Sequence, residues 1–491
     1  MQRQDEALCA SFSQEFVGAD LADRRREDRL VEIARQLRAA PKESLPDLAP
    51  TQADLTAMYR FLGASKVKMG AVMEPHIQAT ARRCAEARTI LVIYDTSEME
   101  LKGDTRRGLG PLRGESSRGF FLHPALAVAS DGSRRPLGLL GAITWKREEG
   151  TRRSRNPDGS RKNGGAYHRE TEKESARWWE LVAEVEDRLE DAEVGAAEAG
   201  LDEALRIEAI HVADREADAF HIVRDAQEHG ARFVIRMARD RVLLDEDDDE
   251  RIGRTSEVLA CCEDMVTLEV PVTKRAGNTI PRALKGRSAR VAKLGVTATK
   301  ARIARPNYDR TSAEGLDVNI VCVREIDPPD GVEPIGWVLI TSEPIDTKEQ
   351  VIKVVEIYRT RWMIEEFFKA LKQGCAFESR ELESYHTLTN ALGIFLPIAW
   401  HLLLLRHLAE PRPDVPATAV LSPTQIQILR ARVPKLVPAH PSASDALRAV
   451  AYLGGHFIKR RPGWLVLGRG LEELLSMEVG WRLARGMELE M

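Results

Sequence analysis

Several things this sequence has little of narrow its class. Cysteine occurs six times in 491 residues, at Cys9, Cys84, Cys261, Cys262, Cys322 and Cys375, with no CxxC pair and no histidine at matching spacing. That pattern supports neither a zinc site nor a disulfide framework and reads as ordinary buried thiols. Aromatics make up only 5%. No window reads as the roughly 18 uncharged apolar residues that a spanning helix needs, and the opening MQRQDEALCA lacks the apolar core of a signal peptide. The expectation is a cytoplasmic protein with no membrane partner. Positive charge is not in excess either: the formal net charge is −4, which argues against a general polyanion binder.

What is present fits a folded soluble chain, with 43% apolar and 30% charged residues. Its length predicts two to four domains at roughly 100 to 200 residues each. The near-neutral total conceals blocks: basic runs at Arg24 to Arg26, 152 to 162 (RRSRNPDGSRK) and 274 to 305, and acidic runs at 181 to 203 and 245 to 251. Any nucleic-acid contact would therefore be made by patches.

Residues 1 to about 68 read as helical, with FVGADLADRRREDRLVEIARQL setting apolar positions opposite a basic face. After the breaker PKESLPDLAP, TQADLTAMYRFL starts a second helix behind a Thr or Asp cap. TILVIYD then reads as a buried strand ending at Asp95, and GFFLHPALAVAS and RRPLGLLGAITWK as a hairpin turning at SDGS. Helix KESARWWELVAEVEDRL, strand RIEAIHVAD, helix EADAFHIVRDAQEH and strand ARFVIRM follow. Three strands, helix, strand, helix, strand is the order of an α/β layer fold, specifically of the ribonuclease-H-like core. From about 240 to 342 the segments MVTLEVPVT, ARVAKLGVTATKARI, LDVNIVCVREI and GWVLITSE predict an inserted β-rich domain. One helix is expected from about 347 to 373. Beyond 386 the chain reads as a C-terminal helical domain in which NALGIFLPIAWHLLLLRHLA is buried.

Asp95 and Asp214 stand where two buried strands run out, a placement from which carboxylates can converge on divalent ions. Read alone, Asp214 is better explained as a helix N-cap. YRTRWMIEEFFKALK at 358 to 372 supplies a third acid. At 100° per residue Tyr358, Arg361, Glu365, Lys369 and Lys372 fall within an arc of roughly 80°, forming one polar stripe beside apolar Ile364, Phe367 and Phe368. Such a stripe is either a solvated ion-pair ladder or a face turned to a cleft.

This segment resembles the Y-(2)-R-(3)-E-(6)-K signature of the DDE cut-and-paste transposases of the insertion-sequence-four group, through Tyr358, Arg361, Glu365 and Lys372. DTS at 95 to 97 and DREAD at 214 to 218 are similar to the segments that hold the group's two aspartates. SRGFFLH, RFVIRM, WVLITSEP and RWMIEEFFKALKQG look like its Tn-five branch, as do LADRRREDRL and YRFL near the start and LGGHF at 453 to 457.

The resemblance implies a ribonuclease-H-like catalytic core at 69 to 374, a DNA-binding domain at 1 to 68 and a helical domain at 375 to 491 that makes a homodimer on double-stranded DNA, at the nucleoid of a bacterial cell. It implies that Asp95, Asp214 and Glu365 hold two Mg²⁺ ions, with Mn²⁺ able to substitute. Cleavage would pass through a hairpin before the 3′-OH ends join target DNA. Glu366, adjacent and acidic, is the alternative that the signature spacing disfavours. Tyr358, Arg361, Lys369 and Lys372 would hold phosphates, and Trp337 and Trp362 would stack an unstacked base. Arg24, Arg25, Arg26, Arg29 and Arg60 would bind the element ends, with backbone contacts from Arg236, Lys285, Arg287 and Arg290. Two competing readings share much of this: another ribonuclease-H-like nuclease, and an inactive transposase-derived DNA-binding protein.

Overall fold

The computed structural model of the chain describes residues 12–103, 106–112, 117–148, 165–198, 206–245, 249–272, 288–307, 314–408, 415–456 and 462–485. Side chains of 165–176 and of Leu465 are outside that description.

Strand β1 (Thr89–Tyr94) lies at the centre of the first half of the sheet. It is followed by β2 (Ser97–Glu100), β3 (Gly110–Pro111), β4 (Arg118–Ala129), β5 (Pro136–Trp145), β6 (Glu208–Ala213) and β7 (Arg232–Arg236). The second half holds β8 (Val242–Leu244), β9 (Arg251–Arg254), β10 (Val266–Val272), β11 (Arg290–Ala304), β12 (Gly315–Glu325) and β13 (Gly336–Thr341). The order across the sheet is β2-β4-β1-β6-β7-β13-β12-β11-β8-β9, with β3 and β5 on β4 and β10 on β11. Pairings β1 to β6 and β6 to β7 are parallel. The helix Gly165–Glu198 leads into β6 and the helix Phe220–Glu228 connects β6 to β7, so the expected order of strands and helices is met.

The inserted β-rich region needs restating. β13 pairs antiparallel with β7, Leu339 opposite Arg236, so the strands after 240 continue the core sheet by hydrogen bonding. The helix Thr255–Cys261 interrupts them and was not foreseen, because its seven residues are too short for a periodic signal.

Alternation along the strands sorts the core. Ile90, Val92 and Tyr94 join Trp178, Leu181 and Val223 on one face, under the helices Gly165–Glu198 and Phe220–Glu228. Leu91 and Ile93 join Val354, Phe367 and Leu396 on the other, under the helices that follow residue 347. A side chain at Gly138 (φ +146°) would run into Thr80 of the helix Met69–Ala87, so the helix can lie this close to β5 only because that position is glycine.

Local chemistry sets the N-terminal helices. Asp23 caps the helix Arg24–Ala39, and Thr51 accepts from Asp54 N–H at the start of the helix Gln52–Gly63, the cap expected there. The 3₁₀ turn Phe12–Phe16 precedes both and carries Glu15 into the interior. The helix Tyr385–Leu408 corrects one expectation: by length and composition it would pass for a membrane span, yet its most apolar 18-residue window is wholly buried inside the protein. The helices Pro423–Arg432, Ala443–Leu453 and Trp464–Ala484 form an apolar cluster of their own at the C-terminal side.

Candidate active site

Because β1 and β6 are parallel neighbours in register, Ile93 opposite Val212, the residues that follow them emerge side by side. Asp95 follows β1 and Asp214 follows β6. Asp95 Oδ1 accepts from Thr96 N–H at 2.8 Å. Asp214 Oδ1 accepts from Glu216 N–H at 2.8 Å and so caps the turn Arg215–Ala217. The N-cap reading holds for this residue, and its negative charge also acts on Asp95 and Arg361.

The third acid arrives on a helix that is not continuous. Thr347 caps the helix Lys348–Thr360, hydrogen bonding tightens at Arg361, and a second helix runs from Trp362 to Lys369 before a π-helical turn at Ala370–Gly374. The expected single helix is thus interrupted at the residue that reaches the aspartates. Arg361 Nη1 donates to Asp95 Oδ2, 266 positions earlier, at 3.0 Å and its Nη2 to Glu365 Oε1 at 2.9 Å. Glu366 faces elsewhere: it accepts from Lys369 Nζ and from Arg406 of the buried helix. The structure therefore separates the two adjacent glutamates, and it is Glu365 that shares the Arg361 guanidinium with Asp95.

Burial, reinforced by the negative charge of Asp214, pushes the Asp95 carboxyl up to about 7 although Arg361 opposes the rise. Burial also raises Glu365 against the pull of Arg361. One guanidinium therefore leaves this acid cluster short of positive charge. A folded-state value above the unfolded one favours folding below about pH 4, and that contribution is lost as pH rises through 7. Wild-type protein is expected to lose on the order of 3 kcal/mol of stability through Asp95 between pH 5 and pH 8.5, a component that Asp95→Asn removes, leaving the smaller dependence due to Glu365. Thermal melts of both proteins across that range test it; parallel curves would show that Asp95 ionises without strain.

The remaining stripe residues are divided in their surroundings. Tyr358 is only 5% exposed and lies between Trp337, ring centroids 5.8 Å apart, and the Arg361 guanidinium, 5.9 Å from its ring centre. Of the two readings of the stripe, its surroundings fit a face turned towards a cleft and not a solvated ladder. Trp362 is 54% exposed, with Lys369 Nζ 4.9 Å from its ring centre. Lys372, in the π turn, donates to the Glu98 carbonyl and pairs with Glu378 at 3.1 Å, tying the helix to β2.

Trp337 and Arg236 line a cavity of about 410 Å³ with Arg215, Arg239 and Arg324. Arg236 Nη2 donates to the Gly336 carbonyl. Farther away, Arg24, Arg25 and Arg60 are exposed, Arg26 donates to the Leu21 carbonyl and Arg29 pairs with Asp54 at 3.5 Å. Arg290 is bound to Glu325 at the start of β11, a structural ion pair and not a presented cation. Lys285 and Arg287 lie outside the described residues.

Two supports escaped sequence reasoning. His123 is fully buried beneath the Asp95 turn, its Nδ1 3.1 Å from Thr96 Oγ1, and burial drives it down to about 3, so it is neutral there. Asp218 accepts from Ala238 N–H and Arg239 N–H and forms a buried ion pair with Arg241, so the last acid of DREAD shapes the connection after β7. Both belong to segments already singled out, SRGFFLH and DREAD, but nothing in the letters distinguishes a supporting residue from a reacting one.

Among the described residues no three His, Cys, Asp or Glu side chains stand in an arrangement that would hold a metal as they are. The donor chemistry still suits a hard cation. Asp95, Asp214 and Glu365 offer only oxygen, and the raised proton affinity of Asp95 marks a place where further positive charge is favourable.

Comparison with known families adds two matches. Residues 9–67 match the family model of a transposase DNA-binding domain, and residues 188–397 match that of a transposase DDE domain. Asp214 and Glu365 fall inside the second match and Asp95 precedes it. A piggyBac transposase solved as a synaptic complex with hairpin DNA aligns over 100% of this chain and 86% of its own, at 9% identity and a TM-score of 0.34, too low to carry an argument.

Proposed function

We propose that this chain, which carries a transposase DNA-binding domain and a transposase DDE domain, is a cut-and-paste transposase of the insertion-sequence-four group with Asp95, Asp214 and Glu365 as its acidic triad. The observation that carries the reading is the Arg361 fork joining Asp95 to Glu365 next to Asp214, across three separate elements. Structural ion pairs rarely bring a helix glutamate to two aspartates at the carboxyl ends of adjacent parallel strands, where chemistry is usually sited.

Asp95, Asp214 and Glu365 would hold Mg²⁺, whose chemistry is to make a bound oxygen nucleophilic and to neutralise a departing 3′ oxygen. In the DNA-free state Arg361 takes up part of that role by offsetting the carboxylates' mutual repulsion. On DNA it can turn its planar fork to a phosphate, with Lys369 as a point-charge contact. Trp337 and Trp362 flank this helix and offer aromatic faces to a base leaving the stack, as a hairpin requires. The arginines of the N-terminal helices hold the element ends, and the C-terminal helices pair two copies.

The test is excision. Purified protein with Mg²⁺ and a DNA segment bounded by the element's own ends, taken from the DNA beside this gene, is expected to release the segment with hairpin termini. Nicking of unrelated duplexes without release would favour another ribonuclease-H-like nuclease, and end binding without cutting an inactive derivative.

A further inference from the structure

Asp95 turns to the cleft, where Arg361 meets it, while the residues on either side of it turn to the opposite face of the sheet. Tyr94 belongs to the core under the helices Gly165–Glu198 and Phe220–Glu228, and alternation returns Thr96 to that side. β1 pairs with β4 as far as Tyr94 opposite Ala125, and β2 takes up β4 again at Ser97 opposite Leu122. Asp95 and Thr96 span the gap between these ladders, with His123 and Pro124 across from them, and Pro124 has no N–H to give. What fixes the direction of the Asp95 carboxylate must therefore come largely from side chains.

Two histidines hold the neighbours of Asp95 from behind. The Tyr94 hydroxyl lies 2.8 Å from His211 Nδ1, and His211 Nε2 lies 2.6 Å from Glu186 of the helix Gly165–Glu198. The Glu186 carboxylate accepts from Nε2–H, which leaves Nδ1 to accept from the Tyr94 hydroxyl. On the other side Thr96 Oγ1 meets His123 Nδ1 at 3.1 Å. The His123 ring is fixed in turn, 4.2 Å from the Trp178 ring centre and stacked with Tyr94 at 5.9 Å, planes 22° apart. Thr96 passes the constraint on, because its N–H donates to Asp95 Oδ1. Both imidazoles are buried on the face away from Arg361, so neither is placed to touch DNA.

We propose that His123 and His211 are positioning residues: acting through Thr96 and Tyr94, they fix the direction of the Asp95 carboxylate and so set how tightly the triad holds its divalent cation. The inference rests on the reading of Asp95 as a metal ligand. Mg²⁺ demands near-ideal octahedral geometry, and a carboxylate free to swing on a two-residue gap between strands would bind it weakly. Outer partners of a metal ligand typically set affinity or activity by roughly 10- to 100-fold. Histidines that only filled the core would leave that affinity untouched.

The experiment removes the links and keeps the shapes. Thr96→Val and Tyr94→Phe each lose one hydroxyl, whereas Thr96→Ser keeps it. Each protein is assembled on pre-cut element ends and titrated with Mn²⁺, read by electron paramagnetic resonance, with end affinity, thermal midpoint and the Mg²⁺ needed for half-maximal cleavage measured alongside. Thr96→Val and Tyr94→Phe are expected to bind Mn²⁺ about tenfold more weakly and to need correspondingly more Mg²⁺, with end affinity within about twofold of wild type; Thr96→Ser should retain its Mn²⁺ affinity. Unchanged Mn²⁺ affinity in Thr96→Val or in Tyr94→Phe overturns the proposal, whether or not the thermal midpoint falls, as does a loss that Thr96→Ser shares. Asp95→Asn separates the two layers. If it binds Mn²⁺ and cleaves as wild type does, the triad reading itself fails, whereas an inactive Asp95→Asn beside a normal Thr96→Val removes only the positioning role.

Discussion

Glu365→Gln is expected to lose strand cleavage by more than about a hundredfold while binding element ends as tightly as wild type. Changing the outer partners of metal ligands typically costs 10- to 100-fold, so replacing a ligand should cost more. Glutamine keeps the volume and can still meet Arg361, so folding is not the expected casualty. The exposed Arg24, Arg25 and Arg60 are remote in sequence from this helix, which is why binding should survive. Glu366→Gln is the informative partner experiment: it weakens the ties to Lys369 and Arg406 yet leaves the Arg361 bridge intact. It should therefore lower stability more than the cleavage rate of folded protein. Near-normal cleavage by Glu365→Gln with Mg²⁺ would refute the triad.

The second large effect is expected far from the cleft. Glu15 is buried and accepts from both His76 and Arg83, two residues of the helix Met69–Ala87. Arg83 also donates to the Leu137 carbonyl and lies 4.5 Å from the Trp400 ring centre, and His76 Nε2 accepts from Leu139 N–H. Burial alone would raise Glu15; the hydrogen bonds from His76 and Arg83 and the charge of Arg83 reverse this and hold it at about 2. Removing one member of a buried pair strands the other, at a cost of roughly 3–5 kcal/mol. Glu15→Gln should therefore lower the unfolding free energy by about that amount near neutral pH, measured by urea titration, and loosen the turn Phe12–Phe16 from the core. Because the folded value is depressed, wild type should keep this contribution above about pH 4 and lose it as pH falls towards 2. A loss below about 1 kcal/mol would mean that the network is dispensable.

The central strands were legible because their signals are local. TILVIYD and RIEAIHVAD are short apolar runs with an acid at the end, and a parallel pair built from them must bring Asp95 and Asp214 together. Glu365 was separable from Glu366 only by spacing, and the structure gives the physical counterpart in Arg406, contributed by a helix some forty residues on. The wheel put Tyr358 beside Arg361, as the structure has it, but the tightening of the helix at Arg361 carries no signal in the letters. Glu15 carries no local signal of its role: its partners lie 61 and 68 residues away, beyond any periodic pattern. The β segments after 240 were recognised as strands, but their attachment to β7 depends on long-range pairing, which alternation does not encode.

That attachment has a mechanical consequence. A hydrogen-bonded ladder running from β1 through β6 and β7 into β13 and β12 offers no soft joint between the aspartates and Trp337. The wall that would receive a displaced base and the strands that hold the acids should move as one stiff plate, so the nucleic acid has to supply the bending and swivelling between successive cuts. The same ladder joins distant parts of the chain, which makes for slow assembly: a protein of this topology should be late to gain activity after synthesis, and vulnerable to aggregation until β13 has docked.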